Sequence, residues 1–159
     1  MKTFAILYFI ALTAIAGAGE KKSAASPIFA ERVIESWGYR TVGSGRREPS
    51  EWETRHFGPA RIRFQSIKGL KELKDWKGAY YRFRIAEEIY GTPEEAKRRI
   101  ERVKDSPPGL DTKMDPHWIL CDGVAAGKVA CIVSTDSVKF EMEALPAVMK
   151  LLKSEVAAK

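Results

Sequence analysis

Cysteine and histidine are scarce in this chain, two of each in 159 residues, and that scarcity sets the first limits on its chemistry. His56 and His117 are too few for a metal site that takes three imidazoles from one chain. Cys121 and Cys131 do not have the Cys-x-x-Cys spacing of a redox pair. No Gly-x-Ser-x-Gly elbow occurs, and Ser134, His117 and Asp136 make a triad only on paper, with no oxyanion hole to serve it. Gly43-Ser44-Gly45 with Arg46 and Arg47 lacks the strand-then-helix setting of a phosphate cradle, since Pro49 argues against a helix starting there. No cofactor is implied. Internal repeats and low-complexity tracts are also absent.

What is present begins with Lys2, the apolar run Phe4 to Ile15 and the small residues Ala16-Gly17-Ala18, the three regions of a secretory signal. Cleavage is expected after Ala18, which makes residues 1–18 a signal peptide. Residues 19–26 then form a flexible polar tail, and 27–159 a single α+β domain. The apolar run is short for a membrane span, so no transmembrane segment is expected after cleavage. Export to a secreted or periplasmic location permits a lasting disulfide.

The net charge is +6, of which Lys2 contributes one. Such a moderate excess favours an anionic surface, a glycan or an acidic protein as partner. Export argues against nucleic acid. The oligomeric state is not readable.

Residues 117–135, HWILCDGVAAGKVACIVST, carry two apolar runs around a glycine-containing loop, which predicts a β-hairpin. A turn centred on Ala126 would set Cys121 opposite Cys131, close enough for a disulfide contributing about 2–3 kcal/mol. Ahead of it, Gly91-Thr92-Pro93-Glu94-Glu95 predicts a helix start with a capping box, and Ala96, Ile100 and Val103 give that helix one apolar face. Glu94 with Arg98 and Glu95 with Arg99 have the spacing of surface pairs.

Ser26-Pro27 with Phe29, Val33 and Trp37 predicts a short helix, although a strand over 32–42 fits as well. Residues 43–59 read as loop. Strands are predicted over 60–66 and 79–90, with one or two helical turns or a basic loop between them. Residues 138–143 read as an edge strand or the lead-in to a helix, and Pro146 opens a last helix with the stripe Leu145, Met149, Leu152 and Val156. Neither long helix has the basic amphipathic character of a membrane-surface helix. The predicted architecture is an antiparallel sheet of about four to five strands, two or three helices packed on one face, and a disulfide-bridged hairpin near the C-terminus.

Two groups of residues suggest function. Arg61, Arg63, Tyr80, Arg82 and Arg84 would form a basic-aromatic stripe if the outward faces of the two strands lie side by side. Asp111, Asp115, His117 and Asp122 cluster around the entry to the hairpin and are candidate metal ligands, though their spacing is also that of turns. The first group predicts a non-enzymatic binding or accessory module. The second supports the alternative, an exported hydrolase or metal-dependent enzyme.

Overall fold

The structure, a computed structural model, describes residues 25–105 and 119–158, without the side chains of 119 and 120. Five strands form one antiparallel sheet: β1 (Tyr39–Arg47), β2 (Arg61–Gly69), β3 (Arg82–Ile89), β4 (Ile119–Ala126) and β5 (Val129–Thr135), in the order β1-β2-β3-β5-β4. Five helices accompany it among the described residues: α1 (Glu31–Ser36), α2 (Glu51–Phe57), α3 (Pro93–Asp105), α4 (Val138–Glu143) and α5 (Leu145–Ala157). The α+β class and the antiparallel sheet are as the residue pattern predicts.

The helices cover both faces of the sheet, not one. Ile67, Phe83, Ile85, Cys131 and Val133 form a first face that packs under α1, α4 and α5, where Phe140 stacks on Phe83 at 4.8 Å between ring centroids. Ala130 and Ile132 point the other way, into a second core with Phe57 of α2 and Ala96, Ile100 and Val103 of α3. β5 is therefore buried on both sides. Its near-continuous apolar sequence, without a polar alternate, is what two covered faces require.

Local signals account for the helix starts. Thr92 and Glu95 close a capping box, with Thr92 N–H donating to Glu95 Oε2 at 3.0 Å and Glu95 N–H to Thr92 Oγ1 at 3.3 Å. A second box, Ser50 with Glu53, starts α2 inside the stretch expected to be loop. The second half of β1 lies in that stretch too, bent by a bulge between Thr41 and Gly43. Ahead of α1, the fully buried side chain of Gln65 holds the chain to the sheet, accepting from Phe29 N–H at 3.0 Å and donating to Phe29 C=O at 3.1 Å.

The hairpin exists, but its register is not the expected one. β4 and β5 turn at Gly127-Lys128, where Gly127 has φ +52°, and Val124 is the partner of Cys131. Cys121 lies at a bulge between Leu120 and Asp122, and the two cysteines are not disulfide-bonded. A two-residue loop whose first residue takes positive φ displaces the turn toward the C-terminus from Ala126, which removes the opposition on which the bridge depended.

Candidate functional site

The four arginines of the proposed stripe fall on opposite faces. In the β2–β3 register Arg63 pairs with Glu87 and Lys68 with Arg82, so odd residues of one strand oppose odd residues of the other. Arg61 and Arg63 share the first face, while Arg82 and Arg84 belong to the second at the other end of the strands. Each has its own surroundings. Arg63 Nε donates to Glu87 Oε1 at 2.6 Å, a contact that raises its pKa above the ordinary guanidinium value. Arg84 lies 4.7 Å from the centroid of Phe64, whose ring in turn covers Gly45, where a Cβ would come within 2.7 Å of it. Arg61 is exposed at the start of β2.

Tyr80 and Arg82 are brought together, in a setting the strand pattern did not indicate. The β2–β3 connection doubles back on itself through Leu73 N–H to Ala79 C=O at 2.8 Å and Trp76 N–H to Leu73 C=O at 3.1 Å. It thereby walls an open groove of about 400 Å³ whose lining includes Lys68, Trp76, Tyr80, Arg82 and Lys139. Lys68 Nζ sits 3.9 Å above the Tyr80 ring, a geometry in which ring quadrupole and ammonium attract. Arg82 Nη2 reaches Asp136 Oδ2 at 2.6 Å while its side chain stays 60% exposed. Tyr80 OH donates to Glu72 at 3.1 Å, and that bond raises the phenol's pKa. Beside the groove, Tyr81 OH donates to Glu143, and its pKa is pushed up to about 12 by that contact.

Of the groove residues outside the stripe, Lys68 and Trp76 belong to the basic and aromatic run over residues 61–84 that contains it, whereas Lys139 of α4 is marked by nothing in the sequence. One sequence signal was available for the loop, a short repeat that corrects the reading of the chain as free of repeats: Leu70-Lys71-Glu72, Leu73-Lys74-Asp75 and Trp76-Lys77-Gly78 each begin with an apolar residue and a lysine.

Asp111, Asp115 and His117 lie outside the described residues. Asp122 is described; its Oδ1 accepts from Gly123 N–H at 2.7 Å. It borders a shallow recess of about 430 Å³ beside α5 whose charged walls are Lys150 and Lys153. Among the described residues no cluster of three potential metal ligands is present. Burial, helped by Glu141, pushes the Cys121 thiol up to about 12, so at neutral pH it is not a thiolate nucleophile.

The densest group of ionisable side chains is structural. Arg47 clasps Glu53 through two 2.7 Å hydrogen bonds. Arg99 of α3 donates to Glu88 Oε2 at 3.0 Å and to Glu53 Oε1 at 3.3 Å. Tyr90 OH adds a 2.5 Å bond to Glu88. Two guanidinium groups and two carboxylates neutralise each other while joining β1, α2, β3 and α3. Burial alone would raise the Glu53 carboxyl; Arg47, the Ser50 N–H and Arg99 outweigh it and hold the group below the ordinary glutamate value.

Compared with protein-family models, curated proteins and solved structures, the chain matches none. Among the described residues, no helix is long and apolar enough to cross a membrane.

Proposed function

We propose that this chain is a small exported binding or accessory module, without chemistry of its own, that engages an anionic partner through the groove between the β2–β3 connection and α4. One observation carries this reading: Lys68, Arg82 and Lys139 surround an open groove with Trp76 and Tyr80 as its aromatic walls. Cations and exposed ring faces at one place suit a partner that bears negative charge. The buried ionisable groups, by contrast, are engaged with one another across four elements of the fold.

The test is salt-dependent retention on immobilised heparin, a generic polyanion. Lys68→Glu with Arg82→Glu should bring elution to a distinctly lower salt concentration, because the substitutions reverse two neighbouring charges at the groove. Arg61→Glu, at the other end of β2, should have a much smaller effect. Equal shifts from the two changes, or none from the double variant, would remove the groove from consideration. Export is tested separately by expressing the full chain, fractionating the cells and sequencing the N-terminus of the protein wherever it is recovered. A start at Gly19 supports it, and an intact N-terminus overturns it.

A further inference from the structure

The groove lies at the end of the sheet where exposed apolar side chains also gather. Among the described residues, five large apolar side chains are at least half exposed: Val42, Leu70, Trp76, Val138 and Met142. Leu70 and Trp76 belong to the β2–β3 connection, and Val138 and Met142 lie one turn apart on α4. These two elements are neighbours, joined by Lys139 Nζ at 3.9 Å from Asp75 Oδ2 and by the bond from Tyr81 OH to Glu143. Val42 sits at the β1 bulge, in the half of that strand that pairs with the end of β2. The remaining exposed large apolar residues, Trp52 and Leu151, are only 40% and 36% exposed.

Charge is distributed at this end in a particular way. Lys71, Lys74 and Lys77 alternate with the apolar residues of the connection and are exposed. Among the described residues no carboxylate pairs with them. The two acids of the same loop are engaged by the protein, Glu72 with Tyr80 OH and Asp75 with Lys139. The loop thus presents three lysines and its apolar groups to the surroundings, against two acids that are themselves exposed but each in contact with a neighbour in the fold.

We propose that this end of the molecule docks peripherally on an anionic lipid bilayer, with Leu70, Trp76, Val138 and Met142 entering the interfacial layer and Lys71, Lys74 and Lys77 against lipid phosphates. The proposal rests on the reading of the groove as the binding surface and names the partner it takes. A hydrated polyanion would use the lysines and could stack on Trp76, but it offers nothing to Leu70, Val138 and Met142. A bilayer interface uses all of them, since tryptophan favours the head-group level, aliphatic side chains favour the acyl boundary and lysines favour anionic lipid. An amphipathic helix is not needed, because a loop and a short helix at one end of a rigid sheet do the same work.

The experiment is co-sedimentation of the purified protein with vesicles of phosphatidylcholine alone or mixed with phosphatidylglycerol, alongside heparin retention, with brominated acyl chains to quench interfacial tryptophan. Binding is expected only to the phosphatidylglycerol vesicles, weakening with salt, and accompanied by quenching that Trp76→Phe abolishes although three other tryptophans remain. Leu70→Ser with Met142→Ser should weaken vesicle binding roughly tenfold or more with the heparin elution position unchanged. Neutralising Lys71, Lys74 and Lys77 to Gln should cost roughly fivefold per lysine on vesicles and lower heparin retention as well. All of these side chains are exposed, and the variants should keep the parent melting temperature. Heparin retention without vesicle binding would overturn the bilayer while leaving the anionic-partner reading in place, and loss of both would overturn both. Vesicle binding with Trp76 unquenched, or a stable dimer dispersed by Met142→Ser, would assign this surface to something other than lipid.

Discussion

Arg99 illustrates how much one residue's role depends on what tertiary structure sets beside it. By sequence it is the second half of an i,i+4 pair with Glu95 on a solvated helix face. In the fold it shares the buried stripe of α3 with Ala96, Ile100 and Val103, its side chain 3% exposed between Glu88 and Glu53. A helical stripe at i, i+3, i+4 and i+7 has room for a guanidinium when carboxylates wait opposite, but nothing in the local sequence reports those carboxylates. Truncating it strands buried charge, so Arg99→Ala should lower stability by about 3–5 kcal/mol, measured by urea unfolding. Because the carboxyl of Glu53 is held below its ordinary value, its pairing stabilises the fold fully above the unfolded glutamate pKa, about 4.3. That stabilisation is lost as pH falls from there through the folded value. Glu53→Gln should therefore lower stability at neutral pH and flatten the acid limb of the stability profile. An acid limb as steep in the variant as in the parent would show that other carboxylates set it. The same limit applies to the arginine stripe: two alternating strands were legible, but the register that sends Arg61 and Arg63 to one face and Arg82 and Arg84 to the other was not.

At the scale of elements, the strongest local signals were read correctly where turn or cap chemistry stood clear of its neighbours. The capped start of α3, the apolar stripe of α5 and the presence of the β4–β5 hairpin all belong to this group. α2 was missed although Ser50-x-x-Glu53 has the capping-box pattern, because glycine, proline and charge on either side suggested loop. The hairpin shows the opposite failure, with the element found and its register displaced. Its consequence is measurable: protein unfolded without reductant should titrate two thiols per chain, and a reductant should leave the melting temperature where it was. A fraction without titratable thiols that regains both on reduction would restore the bridge. The fit of this hairpin against α3 depends on Gly123, where a Cβ would come 2.6 Å from Ile100 Cδ1 and 2.8 Å from the Cys131 carbonyl oxygen. Gly123→Ala must push β4 away from both, and a loss of about 1–3 kcal/mol is expected in denaturant unfolding.

For the molecule as a whole, the order of the strands in space differs from their order in the chain, and this is the feature least accessible to sequence. After β3, α3 crosses the second face and delivers the chain to the far edge of the sheet as β4; only then does β5 enter the gap between β3 and β4. The apolar sequence of β5 marks it as a buried strand, yet it carries no information about which strand lies on its other side. Central position has a dynamic consequence. β5 is bonded on both edges and covered on both faces, so its amides can exchange with solvent only when the sheet comes apart, whereas β1 at one edge can fray alone. Native-state hydrogen exchange should accordingly show β3 and β5 exchanging together at the free energy of global unfolding, with β1 opening at a lower cost. The β4–β5 hairpin, although contiguous in sequence, should not open as a unit, since lifting it would strip β3 of a partner and uncover Ile132 and Val133 on opposite faces at once. Exchange of β4 and β5 together, ahead of β3, would show that the hairpin is an independent unit and that the two cores are only loosely coupled.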